Sequence, residues 1–234
     1  MKINNEAVIL CGGKGTRLAA VVPDRQKALA EVRGVPVLDS IIEGLLAQGF
    51  GRIILATGVR SDQVREYAKK FAGRADCEIV ISEEVSPLGT GGAIRNAVPY
   101  VRAPHFLAIN GDMLIRGIDF KDALEYHGAK QADVTLVAVR PRTEADYGVI
   151  EIAPDGRASF REKEGVGAFM SAGAYWMNRD VVAGFVEGSL SIEKEVFPHL
   201  AASGRLYGYR SNGAIHDIGT PERYQSANEG ADFV

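Results

Sequence analysis

The most constraining feature of the chain is a glycine-rich segment that directly follows a short apolar run. Ala7 to Leu10 are all apolar, which is typical of a buried β-strand. The chain then reads L-C-G-G-K-G-T-R-L from Leu10 to Leu18. Glycines at such a point allow positive φ and bring bare N–H groups close to a ligand. With the side chains of Thr16 and Arg17 they suit a polyphosphate, although a glycine cluster after a strand also fits a simple tight turn.

Two well-known nucleotide-binding loops do not match this segment. A Walker loop requires G-x-x-x-x-G-K-[ST], but Lys14 is followed by Gly15. A dinucleotide-binding fingerprint requires G-x-G-x-x-G, and Leu18 occupies the third glycine position. The strand pattern at 52–57 also ends without the acidic residue that would bind an adenosine ribose. A dehydrogenase is therefore a disfavoured alternative.

Composition and charge argue against a nucleic-acid-binding protein and against a membrane protein. The chain has 234 residues, of which 46% are hydrophobic, and this is enough for the core of one large domain. Its formal net charge is −3 and it has no basic run, so no nucleic-acid surface is expected. No apolar stretch reaches membrane length, and the N-terminus lacks a signal-peptide pattern. The two cysteines, Cys11 and Cys77, lie in apolar runs, which predicts reduced thiols in a cytoplasmic protein.

Periodicity predicts an α/β fold in the first part of the chain. Apolar runs predict strands at 6–11, 51–57, 77–82, 104–110 and 132–139, and amphipathic patterns predict helices at 36–48, 61–72, 91–101 and 119–129. Such alternation indicates a Rossmann-like, mixed but mainly parallel sheet with helices on both faces.

From about residue 141 the pattern changes to mixed strands. A hairpin is expected over 149–162 around the Asp155-Gly156 turn, followed by a strand at 168–177 and a helix at 192–202. Thr220-Pro221-Glu222 is a strong helix start. We therefore expect a single domain over residues 1–234, with a nucleotide-binding half at 1–140 and an acceptor-binding half at 141–234.

Charged residues are expected to gather near the glycine segment. Asp112 follows the strand that ends in Asn110, and ligands of open α/β sheets lie at the carboxyl ends of strands. Lys27 and Asp217 complete a set of two carboxylates and two cations with Arg17. Two carboxylates plus phosphate oxygens form a normal Mg²⁺ shell, whereas the histidine spacing gives no zinc motif. Taken singly, each residue also fits a turn, a cap or a surface charge.

These motifs, taken in order, resemble a known family. They are L-C-G-G-K-G-T-R-L, Lys27, P-L-G-T-G-G-A (87–93), N-G-D (110–112), Y-G-V-I (147–150), E-K (162–163) and D-I-G-T-P-E (217–222). The set resembles the sugar-1-phosphate nucleotidyltransferases of the G-G-x-G-T-R-L type and spans residues 6 to about 228. Within them the chain is most similar to the short bacterial D-glycero-D-manno-heptose 1-phosphate guanylyltransferases, by its compact length and by S-I-E-K-E-V-F-P at 191–198.

The resemblance implies a nucleotide-diphospho-sugar transferase fold and a Mg²⁺-dependent enzyme. It would join a sugar 1-phosphate to a nucleoside triphosphate, most simply GTP and D-glycero-D-manno-heptose 1-phosphate, giving GDP-heptose and pyrophosphate. Mannose-1-phosphate guanylyltransferase and uridylyl-, thymidylyl- or cytidylyltransferases remain alternatives. So does a non-catalytic regulatory homologue that binds an NDP-sugar. No nucleic acid or membrane partner is implied, and a homo-oligomer is compatible with the sequence.

The resemblance also implies a role for each matched residue. Arg17 would hold the leaving phosphates together with the backbone of Gly13, Gly15 and Thr16, and Lys27 would sit near the α-phosphate. Asp112 and Asp217 would share the metal ion. The base would be enclosed by Leu10, Cys11, Gly12, Glu83, Gly89, Thr90 and Gly91. The sugar phosphate would be bound by Gly148, Glu162, Lys163 and Ser171.

The chain departs from the family pattern at four places. Gln26 stands where most relatives have Pro before the lysine, and Glu164 stands where they have Pro after Glu-Lys. Ser171-Ala172-Gly173 replaces Asn-Gly-Gly or Asn-Ala-Gly, and Ala214-Ile215 replaces an aromatic residue before the last Asp. None of these removes a charged residue of the expected site. The last two lie in the sugar-facing half, so they bear on which sugar is bound.

Overall fold

A computed structural model of the chain describes residues 5–141, 148–161 and 168–230. Its strands are β1 (Asn5–Cys11), β2 (Glu31–Val32), β3 (Val35–Pro36), β4 (Phe50–Thr57), β5 (Glu78–Glu83), β6 (His105–Asn110), β7 (Met113–Arg116), β8 (Val134–Val139), β9 (Val149–Ile152), β10 (Ala158–Arg161), β11 (Phe169–Asn178), β12 (Leu206–Arg210) and β13 (Ala214–Asp217). Its α-helices are α1 (Val37–Ala47), α2 (Ser61–Ala68), α3 (Gly89–Ala97), α4 (Phe120–Ala129), α5 (Arg179–Ala183), α6 (Phe197–Ala202) and α7 (Pro221–Glu229). Within these ranges, no helix combines the length and apolar character that crossing a membrane requires.

The central sheet of the described residues has nine strands. Strands β5, β4, β1 and β6 lie side by side and are parallel. Strand β11 pairs antiparallel with β6 on one edge and with β8 on the other, and β12 runs parallel to β8. Strand β9 pairs with the first residues of β11 and carries β10 on its outer edge. Only β10 and β11 oppose the common direction of these nine strands, so the predicted mixed, mainly parallel sheet is confirmed.

Helices cover both faces of this sheet, as predicted. Side chains alternate along β1, so that Ala7 and Ile9 join one apolar core while Val8 joins the other. The first core also contains buried residues of α1, α2 and α4. The second contains buried residues of α3, α5 and α6.

Some elements differ from the sequence-based expectation. The structure adds the short pairs β2–β3 and β7–β13, strand β12 and helix α5. Strand β11 is inserted between β6 and β8, so strands consecutive in the α/β alternation are not neighbours there. The expected helix at 192–202 begins with a π-helical turn, Ile192–Val196, before α6. The assignment of halves at 1–140 and 141–234 stays a prediction, although residues from both ranges share one sheet.

Candidate active site

A groove opens where strands β1 and β6 end. It is lined by Leu10 and Gly13 from one strand end and by Asn110 and Asp112 from the other. A second recess shares Leu10, Gly13 and Thr90 with this groove, so the two form one continuous depression. The location is the carboxyl edge of the parallel strands, where ligands of open α/β sheets bind.

The glycine segment forms an open loop at this edge. Gly15 has a φ of +60°, which favours glycine, and its carbonyl accepts hydrogen bonds from the N–H groups of Leu18 and Ala19. Among the described residues other than Gly13 and its two chain neighbours, no atom lies within 4 Å of the point where a Cβ on Gly13 would sit. The side chains of Thr16 and Arg17 are exposed. The loop therefore leaves space and hydrogen-bond donors at the mouth of the groove.

Gln26 fixes the segment that carries Lys27. Its side chain is buried, with 3% of the residue exposed. The amide nitrogen donates to the carbonyl of Cys11 at the end of β1, and the amide oxygen accepts from the N–H of Ala28. The Gln26 N–H donates to Oε1 of Gln63 at 2.7 Å. This role was not predicted, because Cys11 and Gln63 are distant in sequence and nothing next to Gln26 indicates that it bonds with them.

Lys27 pairs with one of the two predicted metal carboxylates and lies near the other. Its ammonium contacts Oδ2 of Asp112, and both side chains are largely shielded, with 15% and 27% exposed. A Cβ on Gly219 would lie 3.0 Å from Lys27 Nζ and 2.6 Å from Oδ1 of Asp217. The ammonium is therefore close to both carboxylates. The sequence placed these three residues at one crevice edge, and the structure brings them together there.

The pairing of β7 with β13 brings the two aspartates together. The strands are antiparallel, and Asp217 is the register partner of Met113, which follows Asp112. The N–H of Ile218 donates to the carbonyl of Asp112 at 3.1 Å. Residues separated by about a hundred positions in sequence are thus held as close neighbours by backbone hydrogen bonds.

The donor set fits a divalent cation that also binds phosphate. The described residues contain no group of three or more His, Cys, Asp or Glu side chains that could hold a metal alone. Mg²⁺ commonly uses one or two carboxylates and takes its remaining ligands from phosphates and water. Asp112 and Asp217 supply that number. Arg223 also donates to Oδ2 of Asp217 at 2.6 Å, which orients this carboxylate.

The second recess is lined by Gly12, Gly13, Gly89, Thr90 and Glu84, the residue that follows β5. Burial raises the pKa of the Glu84 carboxyl, and its Oε2 accepts from the N–H of Leu88 at 3.1 Å.

The predicted base-binding residue Glu83 points its carboxylate elsewhere, towards Ser61 and Arg65. The hydrogen bond from Ser61 and then that from Arg65 hold the Glu83 pKa below its usual value. The base-binding role of Glu83 stays a prediction, and Glu84 is a neighbour that sequence reasoning missed.

The P-L-G-T-G-G-A motif packs against a later segment of the chain. The N–H of Gly91 donates to the carbonyl of Leu190 at 2.9 Å, and a Cβ on Gly89 would lie 2.7 Å from the same oxygen. Thr90 Oγ1 donates to Glu193 Oε2 at 2.8 Å. Gly91 is buried behind Leu190, whereas Thr90 lines both recesses.

Leu10 and Cys11 support the floor of the groove. The carbonyl of Leu10 accepts from the N–H of Gly111 at 3.0 Å. A Cβ on Gly111 would lie 3.2 Å from Sγ of Cys11, so the thiol is beneath this turn. Burial, followed by the charge of Asp112, raises the pKa of the Cys11 thiol. The thiol is therefore unsuited to act as a nucleophile.

The predicted sugar side of the groove is formed by a bulge in β11. The register of β11 against β8 shifts between Ser171 and Tyr175. The hydroxyl of buried Tyr175 is near Ser171 and Asn110, and burial raises its pKa although these two side chains act to lower it. The N–H of Ser171 donates to the carbonyl of Gly148 at 2.9 Å, which joins two predicted sugar-binding residues. Glu162 and Lys163 lie outside the described residues.

The family model described as nucleotidyl transferase matches residues 6–232 of the chain. The chain is 34% identical over 226 residues to the mannose-1-phosphate guanylyltransferase of Mycobacterium tuberculosis, covering 94% of this chain and 62% of that protein. It is 32% identical over 228 residues to the mannose-1-phosphate guanyltransferase of Saccharomyces cerevisiae, covering 94% and 63%. The chain thus spans about three fifths of the length of these curated relatives.

One protein of known structure matches almost all of this chain. The crystal structure of HddC from Yersinia pseudotuberculosis superposes with a TM-score of 0.85 at 30% sequence identity, covering 97% of this chain and all of that one. HddC complexed with GMP-PN gives the same values.

Proposed function

The chain belongs to the nucleotidyl transferase family, and from this premise we propose that it joins a sugar 1-phosphate to a nucleoside triphosphate and releases pyrophosphate. The observation that carries the proposal is the convergence of Lys27, Asp112 and Asp217 beside the open glycine loop. A cationic and acidic cluster next to free backbone donors is the arrangement that two phosphate groups and a metal ion require.

The chemistry asks little of the protein beyond positioning and charge. The nucleophile is a phosphate oxygen of the sugar phosphate, which is already anionic, so no general base is needed. The protein must align two polyanions and offset charge on the leaving pyrophosphate. Arg17 and the backbone of Gly13, Gly15 and Thr16 would bind the leaving phosphates. Lys27 would bind the α-phosphate once the nucleotide is present.

Asp112 and Asp217 would hold Mg²⁺, whose charge, when bound, would offset that of the reacting phosphates. Arg223 and the N–H of Gly219 both donate to Asp217, so this carboxylate is fixed in position before substrates arrive. Asp112 is fixed by its backbone contact with Ile218. These contacts prepare the oxygens without any rearrangement of the fold.

Guanine is the base that we propose. The relatives compared above are guanylyltransferases by name, and HddC has been crystallised with GMP-PN. Leu10, Cys11, Gly12, Glu83, Gly89, Thr90 and Gly91 are the proposed base-side residues. Glu84 joins this set because its carboxylate lines the same recess.

The sugar is proposed to be D-glycero-D-manno-heptose 1-phosphate, with mannose 1-phosphate as the second candidate. HddC matches 97% of this chain with its whole length, and this shared compact length favours the first sugar, because the resemblance to the heptose enzymes rests partly on compact length. The names of the curated relatives favour the second. Gly148, Glu162, Lys163 and Ser171 are the proposed sugar-phosphate residues, with Lys163 meeting the phosphate as a point charge. A cytoplasmic enzyme that serves polysaccharide biosynthesis would follow from either sugar.

A crossed panel of substrates tests the proposal. GTP, UTP, dTTP, CTP and ATP are each combined with heptose, mannose and glucose 1-phosphates, and pyrophosphate release is measured with Mg²⁺ present. We expect the highest rate with GTP and one of the first two sugars. Binding of an NDP-sugar without pyrophosphate release from any pair would instead establish a non-catalytic regulatory homologue.

A further inference from the structure

The ammonium of Lys27 occupies space beside the two carboxylates that are proposed to bind a metal ion. It contacts Oδ2 of Asp112 and lies 3.0 Å from the point where a Cβ on Gly219 would sit. Oδ1 and Oδ2 of Asp217 lie 2.6 and 3.2 Å from that same point. One cation thus contacts Asp112 and lies beside the Gly219 backbone that also adjoins Asp217, the second carboxylate proposed to hold Mg²⁺.

The charges of this cluster are already balanced without a metal ion. Asp112 pairs with the ammonium of Lys27, and Asp217 pairs with the guanidinium of Arg223. Two negative charges therefore meet two positive charges in a partly shielded place. A free divalent cation would gain little from such a site, and it would be repelled by the ammonium at short range.

A nucleotide changes this balance. Its phosphates add several negative charges at the mouth of the groove, beside the glycine loop and Lys27. The ammonium can then follow the phosphates, because it ends a flexible four-carbon side chain with rotatable donors. The two carboxylates become available at the moment when a metal ion carried by the phosphates reaches them.

We propose that Lys27 is an internal substitute for the divalent cation, holding the Asp112–Asp217 pair until a metal–nucleotide complex displaces it. The metal ion accordingly binds with the nucleotide and not before it. The identity of the incoming nucleotide rests on the proposed function, whereas the competition between Lys27 and the metal ion does not.

Binding of Mn²⁺ to the nucleotide-free protein tests the competition, and it can be measured by electron paramagnetic resonance without any assay of activity. Lys27→Met removes the ammonium and keeps the length of the side chain. We expect it to lower the Kd for Mn²⁺ at least tenfold relative to the parent protein. Lys14→Met is the matched control, because Lys14 is an exposed lysine of the same loop region and has the same charge. We expect it to change the Kd less than twofold.

A double variant tests whether the increase in Mn²⁺ affinity depends on Asp112. Lys27→Met combined with Asp112→Asn should lose the gain in Mn²⁺ affinity, because one of the two carboxylates is gone. Lys27→Gln serves as a second neutral variant, and circular dichroism checks the folding of each. Parental Mn²⁺ affinity in folded Lys27→Met and Lys27→Gln would overturn the proposal, as would an equal gain in Lys14→Met.

The outcome is separable from that of the proposed function. If the parent protein releases no pyrophosphate but Lys27→Met binds Mn²⁺ tenfold more tightly, the transferase reaction is refuted. The competition between Lys27 and the metal ion is then retained. If the parent protein releases pyrophosphate but the variants bind Mn²⁺ no more tightly, the transferase reaction is retained. The competition between Lys27 and the metal ion is then refuted.

Discussion

The side-chain amide of Gln26 donates a hydrogen bond to the carbonyl oxygen of Cys11, the last residue of β1. The same side chain accepts from the N–H of Ala28 in the 3₁₀ turn that begins at Lys27. Gln26 therefore ties the lysine to the strand end from which the glycine loop departs. The proposed phosphate-binding cation is positioned by a neutral, buried neighbour.

Gln26→Ala should lower kcat at least tenfold and change both KM values less than threefold. The loss of two buried hydrogen bonds no longer holds the backbone at Lys27 in place, although the charge of Lys27 remains. Steady-state kinetics with each substrate varied gives this split. Gln63→Ala is the control, because it removes the acceptor of the Gln26 N–H but leaves both side-chain contacts of Gln26. An equal loss of kcat in both variants would assign the effect to general loosening of the loop.

A conservative variant separates positioning from simple stability. Gln26 has a φ of −62°, which a proline ring adopts without strain. Gln26→Pro should therefore recover much of the activity lost in Gln26→Ala, because the ring restricts the backbone that the side-chain bonds now hold. Proline also removes the N–H that donates to Gln63, so Gln63→Ala is again the control. If Gln26→Pro were as slow as Gln26→Ala while Gln63→Ala kept the parental rate, the side-chain hydrogen bonds of Gln26 would themselves be required.

Arg17→Lys should cost on the order of 2–4 kcal/mol of transition-state stabilisation, the value typical of a lost charge-stabilising donor. The forked guanidinium can bind two phosphate oxygens in one plane, and an ammonium cannot. The side chain is exposed, so the melting temperature should not change. Measurement of kcat/KM together with a thermal melt checks both parts. Arg74→Lys, on a surface pair with Asp76, is the control that should retain parental rates.

Activity should require Mg²⁺ or Mn²⁺ and disappear in EDTA. Asp112→Asn and Asp217→Asn should each reduce kcat at least a hundredfold, because each leaves a single carboxylate for the metal ion. Pyrophosphate release with and without added metal is the measurement. Asp76→Asn alters an exposed carboxylate elsewhere and should not respond. Full turnover in EDTA would remove both aspartates from a metal-binding role.

The sugar-facing contacts give a different kinetic signature. Tyr175→Phe removes the hydroxyl near Ser171 and Asn110, two residues at the predicted sugar side of the groove. We expect the KM for the sugar 1-phosphate to rise about fivefold, close to the 1 kcal/mol typical of one hydrogen bond. The KM for the nucleotide should stay within twofold. Equal changes in both KM values would show that Tyr175 supports the whole sheet and not the sugar side alone.

Local pattern predicted β1, β4, β5, β6 and β8 because each contains an apolar run, such as Ala7 to Leu10 in β1. It did not predict β12 of the same sheet. Nor did it predict the short strands β7 and β13. Each has four residues, and each is stabilised by its pairing with the other. The pairing of β11 with both β6 and β8 likewise joins residues that are far apart in sequence, so a local sequence pattern does not predict it.

The candidate site shows the same division. The sequence brought Asp112 and Asp217 to one edge because each follows a strand-like run, and it added Lys27 as a cation soon after Arg17 in a segment without strand pattern. It did not predict that Lys27 contacts Asp112, nor that Gln26 holds Lys27, because both facts depend on side-chain conformations set by tertiary packing. Glu84 was missed for the same reason, since the backbone at the end of β5 decides which of two adjacent glutamates faces the recess.

A buried histidine pair predicts how stability depends on pH. Nδ1 of His127 lies 2.8 Å from Thr135 Oγ1, and its Nε2 lies 3.1 Å from Nδ1 of His105. Burial, with a smaller contribution from the charge of His105, lowers the pKa of His127 to about 4. Burial also lowers the pKa of His105, against the opposing charge of Asp180. A proton on His127 would be enclosed without a carboxylate partner.

The free energy of unfolding should therefore fall as the pH is lowered from about 6.5 towards 4. Over this range the unfolded chain binds a proton at His127 and the folded protein does not, so acid favours unfolding. Above the ordinary histidine pKa both states are neutral and the effect vanishes. Carboxylates such as Glu78, whose pKa is lowered by Arg52, act in the same direction only below about 4.5.

Urea unfolding at pH values from 4.8 to 7.5 isolates the histidine contribution. His127→Gln should flatten the decline between pH 6.5 and 4.8, because the glutamine cannot take up a proton in either state. His199→Gln, at an exposed position of α6, should keep the parental slope. A parental slope in His127→Gln would mean that other groups release or bind the protons, and His127 would then be a packing residue whose titration does not contribute to stability.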